Sequence, residues 1–239
     1  MNLTLHITDR CNMRCAYCVH DYSPRQMSLE TAFAAVDLSV RSQGNSLIPS
    51  GCMHTGLCFY GGEPLLNRDL IEKTVAYCET LRAERGEVFH YLIVTNGTLM
   101  DEAFLAFAAT HDIGIGLSHD GLMQEDSRRM EDGASSSGRL EKTIDLLLRY
   151  CPRSTAMCTI HPPLADRLAE SVRWLFGKGF RKIQTVPAVG IKADWTPEAL
   201  ETLEKQYRLL SDFYVEKTRA GDDFELTLFE SKIRSHIMD

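Results

Sequence analysis

The 239-residue chain has no apolar run of the roughly eighteen residues that a membrane-crossing helix needs. Its opening residues, Met1 to His6, lack both a basic start and a long apolar stretch, so no signal peptide is expected. An excess of positive charge is also missing. Lys and Arg number 26 against 33 Asp and Glu, for a net charge of −7. That balance argues against a nucleic-acid binder, which carries a basic face. There is no internal repeat and no long low-complexity tract. The small, polar run from Glu131 to Gly138 reads as a loop. A cytoplasmic protein with no membrane and no nucleic-acid partner is therefore expected. In that compartment clustered cysteines serve metal or redox roles more often than disulfides.

Hydrophobic residues at 44% and charged residues at 25% suit one sizeable globular core. Short β-prone apolar runs alternate with longer helical patterns. Strands are predicted at Leu3–Thr8, Leu57–Tyr60, Phe89–Thr95, Ile113–Ser118, Thr155–Ile160 and Lys182–Pro187. Helices are predicted near 28–42, 68–85, 101–110, 138–150, 164–177 and 197–219. Ser28 reads as an N-cap, and Thr196-Pro197-Glu198 as N-cap, first-turn proline and first-turn acid. Leu200, Leu203, Tyr207, Leu210 and Tyr214 recur at helical spacing as a core-facing stripe. Six strand–helix units in succession predict a parallel α/β fold, either an open doubly wound sheet or a barrel-like one. Either places a reactive site at the C-terminal ends of the strands.

Three of the eight cysteines fall within one short stretch, Cys11-Asn12-Met13-Arg14-Cys15-Ala16-Tyr17-Cys18, directly after the first strand. Three thiolates on one loop can ligate three irons of a cubane cluster and leave the fourth iron open. A zinc site is the other reading, with His20 available as a fourth ligand. Cys52, Cys58, Cys78, Cys151 and Cys158 show no metal-ligand spacing among themselves. Free cysteines in helices and strands behave as small apolar residues, although Cys52 sits in an irregular stretch where a further ligand role is conceivable.

This C-x3-C-x2-C loop, with aromatic Tyr17 before its last cysteine, resembles the signature of radical S-adenosylmethionine (SAM) enzymes. The resemblance implies a [4Fe–4S] cluster on Cys11, Cys15 and Cys18, with the SAM amino and carboxylate groups on the open iron. It implies reductive cleavage of SAM to methionine and a 5′-deoxyadenosyl radical that takes a hydrogen from substrate. Phe59-Tyr60-Gly61-Gly62-Glu63-Pro64 closes the next strand. Two glycines permit close backbone approach to a ligand. The segment matches the family's glycine-glycine-glutamate motif, which implies that Glu63 receives the SAM ammonium. Thr95-Asn96-Gly97 is similar to a family segment near SAM. In Ser118-His119-Asp120-Gly121, Ser118 and Asp120 are short polar groups suited to ribose hydroxyls, and His119 stands where the family has an apolar residue. Arg139 and Arg128 are candidate partners for the SAM carboxylate. Family analogy puts the backbone of Val186 and Ala188 against the adenine edge.

The chain looks most like the peptide- and protein-maturing branch, which includes anaerobic sulfatase maturases. Those enzymes usually continue into a C-terminal SPASM domain with auxiliary clusters; this sequence stops at Asp239, and the expectation is either a shortened form or an enzyme that works with a single cluster. The expected fold is accordingly a partial (β/α)6 TIM-like barrel of the radical SAM type. Residues 1–220 are read as its core and 221–239 as a tail that begins a further segment. A full barrel needs eight units, so a lateral opening with an apolar rim is expected. Phe224, Leu226 and Leu228 alternate like a short strand. Expected partners are a peptide or protein substrate and a flavodoxin- or ferredoxin-type electron donor. A glycyl-radical-enzyme activase is the alternative within this chemistry. An iron–sulfur carrier or zinc module is the alternative outside it.

Overall fold

Strand-prone and helix-prone segments alternate along the chain because each apolar run must bury one face against a neighbour. The computed structural model describes residues 2–43 and 54–238. Its strands are β1 (Asn2–His6), β2 (Met13–Cys15), β3 (His54–Tyr60), β4 (Val88–Thr95), β5 (Ile113–Ser118), β6 (Arg128–Met130), β7 (Thr155–Ile160), β8 (Lys182–Pro187) and β9 (Glu225–Leu226). Its helices are α1 (Leu29–Gln43), α2 (Arg68–Arg85), α3 (Glu102–Thr110), α4 (Gln124–Ser127), α5 (Ser137–Tyr150), α6 (Leu168–Gly177), α7 (Pro197–Ala220) and α8 (Thr227–Met238). Cys52 lies outside the described residues.

Seven strands make one sheet in the order β1-β3-β4-β5-β7-β8-β9. The pairs β1–β3, β3–β4, β5–β7, β7–β8 and β8–β9 are parallel. This is the α/β class that the alternation predicts, with one short strand beyond the expected six. A separate ribbon pairs β2 with β6 antiparallel.

The chain divides into two compact units. The first holds Met1–Asn12, His20–Thr95 and Leu99–Ile115. There Leu5, Ile7, Leu57, Phe59, Tyr91 and Ile93 are buried, as are Val36, Ile71, Val75 and Phe104 on the helices. The period of two along a strand puts His6, Tyr60, His90 and Leu92 on the opposite face, where they are exposed. Helix starts follow local chemistry. Ser28 Oγ accepts from Thr31 N at 3.1 Å, and Asp101 Oδ1 accepts from Phe104 N at 2.7 Å.

The second unit holds Met13–Val19, Asn96–Thr98 and Gly116–Asp239. Its core includes Leu117, Leu140, Ile144, Ala156, Ile160, Val172, Leu175 and Ile183. Thr196 caps α7 as expected, its Oγ1 accepting from Ala199 N at 3.2 Å. The buried stripe of α7 is Leu203, Leu210 and Phe213, whereas Leu200 is exposed. The first turn of α7 therefore stays in solvent, and Phe213 takes a core position that the sequence reading missed. Phe213 meets Phe176 and Phe224 edge-on, with ring centroids 5.6 Å away in each case. That packing also corrects the tail. Only Glu225–Leu226 is a strand, and Leu228 enters α8, because β9 pairs with Lys182 and Ile183 alone.

Candidate functional site

In the first unit, the start of the cysteine loop is fixed by backbone contact. Ile7 N donates to Tyr60 O at 2.8 Å, Gly62 N to Thr8 O at 2.8 Å and Glu63 N to Arg10 O at 2.8 Å. A β-carbon on Gly61 would fall 2.5 Å from Thr8 O, and one on Gly62 would fall 2.3 Å from Arg10 O. Gly61 also has a φ of +144°. The structure shows that the chain's own loop backbone occupies the space a side chain would need.

Glu63 is fully buried. Its Oε1 accepts from Leu65 N at 3.0 Å and from Thr95 Oγ1 at 2.7 Å. The carboxylate thus caps a short 3-10 turn, Pro64–Asn67, and bonds to the end of β4. His6, His20 and Tyr60 form a ring cluster, with His20 centroids 5.5 Å from His6 and 5.8 Å from Tyr60. Burial, then His6, holds the His20 pKa below its ordinary value. Asp9 accepts from Ser23 Oγ at 2.6 Å and pairs with Arg25 at 2.8 Å.

In the second unit, the far end of the loop is tied into the ribbon. Met13 faces Met130, Arg14 faces Arg129 and Cys15 faces Arg128. Cys18 N donates to Cys15 O at 3.0 Å. Asp120 is the hub. Its Oδ2 accepts from Tyr17 Oη and Ser127 Oγ, each at 2.6 Å, and its Oδ1 accepts from Thr159 N at 2.9 Å. Arg128 Nε stands 3.0 Å from the same Oδ2 as an ion pair, off the line of a good hydrogen bond. Arg128 Nη1 donates to Cys15 Sγ at 3.8 Å and Nη2 to Thr159 Oγ1 at 3.4 Å. The guanidinium also lies 5.3 Å from the centre of the Tyr17 ring.

Burial opposes the charge on Arg128, but Asp120, Tyr17 and Cys15 hold its pKa well above the ordinary range. Burial pushes the Cys15 thiol up, and Arg128 pulls it down. Burial likewise keeps the Tyr17 hydroxyl protonated well above its usual value.

Asp120, expected at the ribose, is 0% exposed and its oxygens serve four protein groups. These contacts order the loop. Arg139 is exposed on α5, whereas Arg128 is buried beside Cys15. Ala188 commits both backbone groups within the chain, its N–H to Ile160 O at 2.9 Å and its carbonyl to Trp195 Nε1 at 2.8 Å. The Val186 side chain is exposed, and Ser118 is half-buried at the end of β5. Asn96 Oδ1 accepts from Thr98 N at 3.0 Å and Thr98 Oγ1 at 2.7 Å, closing its own turn. His119 stacks on Trp174 at 5.2 Å, and its Nδ1 accepts from Gly121 N at 3.0 Å.

The sequence reading missed Ser127, Thr159 as a hydrogen-bond partner, and the support behind them. Gln124 Oε1 accepts from Asp120 N at 3.0 Å, and Gln124 Nε2 donates to Ser136 Oγ at 3.0 Å. The polar run after Gly121 was the available signal.

Cys11, Cys15 and Cys18 are half-buried cysteines on one loop, none of them in a disulfide, and the guanidinium at Cys15 suits a thiolate. This donor set fits an iron–sulfur cubane. Among the described residues no three His, Cys, Asp or Glu side chains group as a single ion requires. A cubane binds each thiolate to a separate iron and so spans a wider set. No helix among the described residues is long and apolar enough to cross a membrane.

A family model described as the Radical SAM superfamily matches residues 5–175. The chain is 31% identical over 184 residues to an uncharacterised protein of Methanocaldococcus jannaschii, covering 76% of this chain and 60% of that one. It is 22% identical over 179 residues to the cysteine-type anaerobic sulfatase-maturating enzyme of Clostridium perfringens, covering 74% of this chain and 48% of that one. The chain therefore spans about half to three-fifths of these relatives. A solved structure of native anSMEcpe with bound AdoMet and Cp18Cys peptide superposes with a TM-score of 0.81 at 20% identity. That match covers 96% of this chain and 64% of the other, and it establishes likeness of fold.

Proposed function

The chain belongs to the radical SAM superfamily, and on that premise we propose that it is an enzyme that modifies a peptide or protein substrate. In this reading Cys11, Cys15 and Cys18 hold a [4Fe–4S] cluster. When bound, cluster and SAM supply a 5′-deoxyadenosyl radical for hydrogen abstraction. The chain's own residues position these groups. Gly61 and Gly62 let the loop backbone seat against β3, and Asp120 orders Tyr17 and Arg128 at the loop's far end. Glu63, already aligned by Thr95 and Leu65, is assigned to the SAM ammonium, with Asn96 and Ser118 on the SAM side. Val186 is assigned to the adenine.

The observation that carries the reading is the anchoring of one cysteine loop at both ends. The Gly61–Glu63 segment binds Thr8 and Arg10, and β6 binds Met13 to Cys15. A peptide or protein substrate is supported by the likeness to the sulfatase-maturating enzyme and to the peptide-bound structure. A flavodoxin- or ferredoxin-type donor would supply the electron, and residues 1–220 would be the catalytic core with 221–239 as a C-terminal tail.

The test is oxygen-free reconstitution followed by counts of iron and sulfide and by mass analysis of candidate peptides after incubation with SAM and reductant. About four irons and four sulfides per chain are expected, together with a mass change on a peptide. Cluster loading and SAM cleavage without change to any peptide or protein would overturn the substrate class. No cluster at all would overturn the whole reading.

A further inference from the structure

We infer that Arg128 is a positioning residue that raises the reduction potential of the cluster by holding its guanidinium on the Cys15 sulfur. The inference rests on the cluster reading above. Cys15 and Arg128 are register partners across the β2–β6 ribbon. Directly opposed residues of an antiparallel pair project to the same side, so the ribbon itself sets this contact. Nη1 reaches Sγ at 3.8 Å.

The cation cannot swing away. Its backbone is in the ribbon, its carbonyl accepts from Ser136 Oγ at 2.8 Å, and its Nε is paired to Asp120. Tyr17 and Thr159 close two more sides. The residue is 7% exposed, so solvent screens the charge poorly. Asp120 offsets part of that charge from the Nε side, while it is Nη1 of Arg128 that meets the Cys15 sulfur. A donor on a ligating sulfur withdraws electron density, and hydrogen bonds to the sulfurs are among the features that set cluster potentials. Adding an electron to the cluster is therefore easier with Arg128 in place. Reduction is a one-electron gain from an external reductant, so the balance needs nothing further from the chain.

The test compares reconstituted wild type with R128M, R128K and the double variant D120N/R128M. The double variant avoids stranding the buried Asp120 charge if R128M folds poorly. Iron and sulfide are counted first, and the one-electron midpoint is then read by spectroscopic redox titration without SAM. R128M should load a cluster whose reduction equilibrium constant is at least about tenfold lower, a 59 mV fall for one electron. R128K keeps the charge without the planar fork and should fall between the two. D120N/R128M should also lie below wild type, by less than R128M. A loaded R128M or D120N/R128M with the wild-type midpoint would overturn the inference. If wild type takes up no cluster, the proposed function fails first and the inference with it, a result distinct from an unmoved midpoint in a loaded variant.

Discussion

Tyr17 donates its hydroxyl to Asp120 Oδ2 at 2.6 Å, tying the residue before the last loop cysteine to a carboxylate that follows β5. The bond crosses 103 positions of sequence and is buried. Tyr17→Phe removes this donor while Ser127, Thr159 and Arg128 still serve Asp120. The expected loss is about 1–2 kcal/mol of stability, near the lower end for a hydrogen bond to a charged group. Denaturant unfolding of the pair of proteins measures it, and equal midpoints would show that the bond holds nothing in place.

Gly62→Ala places a β-carbon where Arg10 O now sits, at 2.3 Å. The neighbour is backbone, so the loop must shift, at a cost of about 1–3 kcal/mol. Because that loop leads directly into Cys11, iron content after reconstitution should fall with stability. Wild-type iron content in this variant would mean that the loop's start does not set the cysteines.

Glu63→Ala strands Thr95 Oγ1 and Leu65 N without their carboxylate acceptor. A loss of about 1–3 kcal/mol in stability is expected. SAM affinity should also fall by about ten- to a hundredfold, the worth of a charged hydrogen bond. Glu63→Gln keeps an acceptor for both donors, so it separates the two effects: stability recovers while SAM binding stays weak. Titration calorimetry on both variants reads this. Wild-type SAM affinity in Glu63→Gln would remove Glu63 from the binding site.

His119 carries a distinct pH signature. Burial lowers its pKa from 6.5 to about 4. The folded state thus binds the proton less readily than the unfolded chain. Its contribution is fully present above pH 6.5 and is lost as pH falls toward 4. The gap corresponds to about 3 kcal/mol. Unfolding free energies measured between pH 7 and pH 4 should slope steeply in wild type and much less in His119→Phe, which keeps an aromatic ring beside Trp174. Equal slopes would contradict the assignment.

The elements legible in the sequence were those whose apolar period was strong. β5, β7 and β8 fall on the predicted ranges, and α2 does as well. The cysteine loop and the Gly61–Glu63 turn were also visible, because both are local motifs. What was not legible depends on distant pairing. The β2–β6 ribbon is three residues long on each side and carries no alternation of its own. Without it, Arg128 and Arg139 look equivalent. Asp120 reads in sequence only as a short polar group suited to ribose, and its convergence with Tyr17, Ser127, Thr159 and Arg128 shows only in the fold. Leu228 alternated correctly and still joined a helix: β9 pairs with β8 only through Glu225 and Leu226, and α8 begins at Thr227.

The most direct test of the central claim is the production of 5′-deoxyadenosine. Reconstituted wild-type protein, kept free of oxygen and given SAM with a low-potential reductant, should release it, and Cys15→Ala should not. Release by Cys15→Ala at the wild-type rate, or none from wild type carrying a full complement of iron and sulfide, would contradict the account.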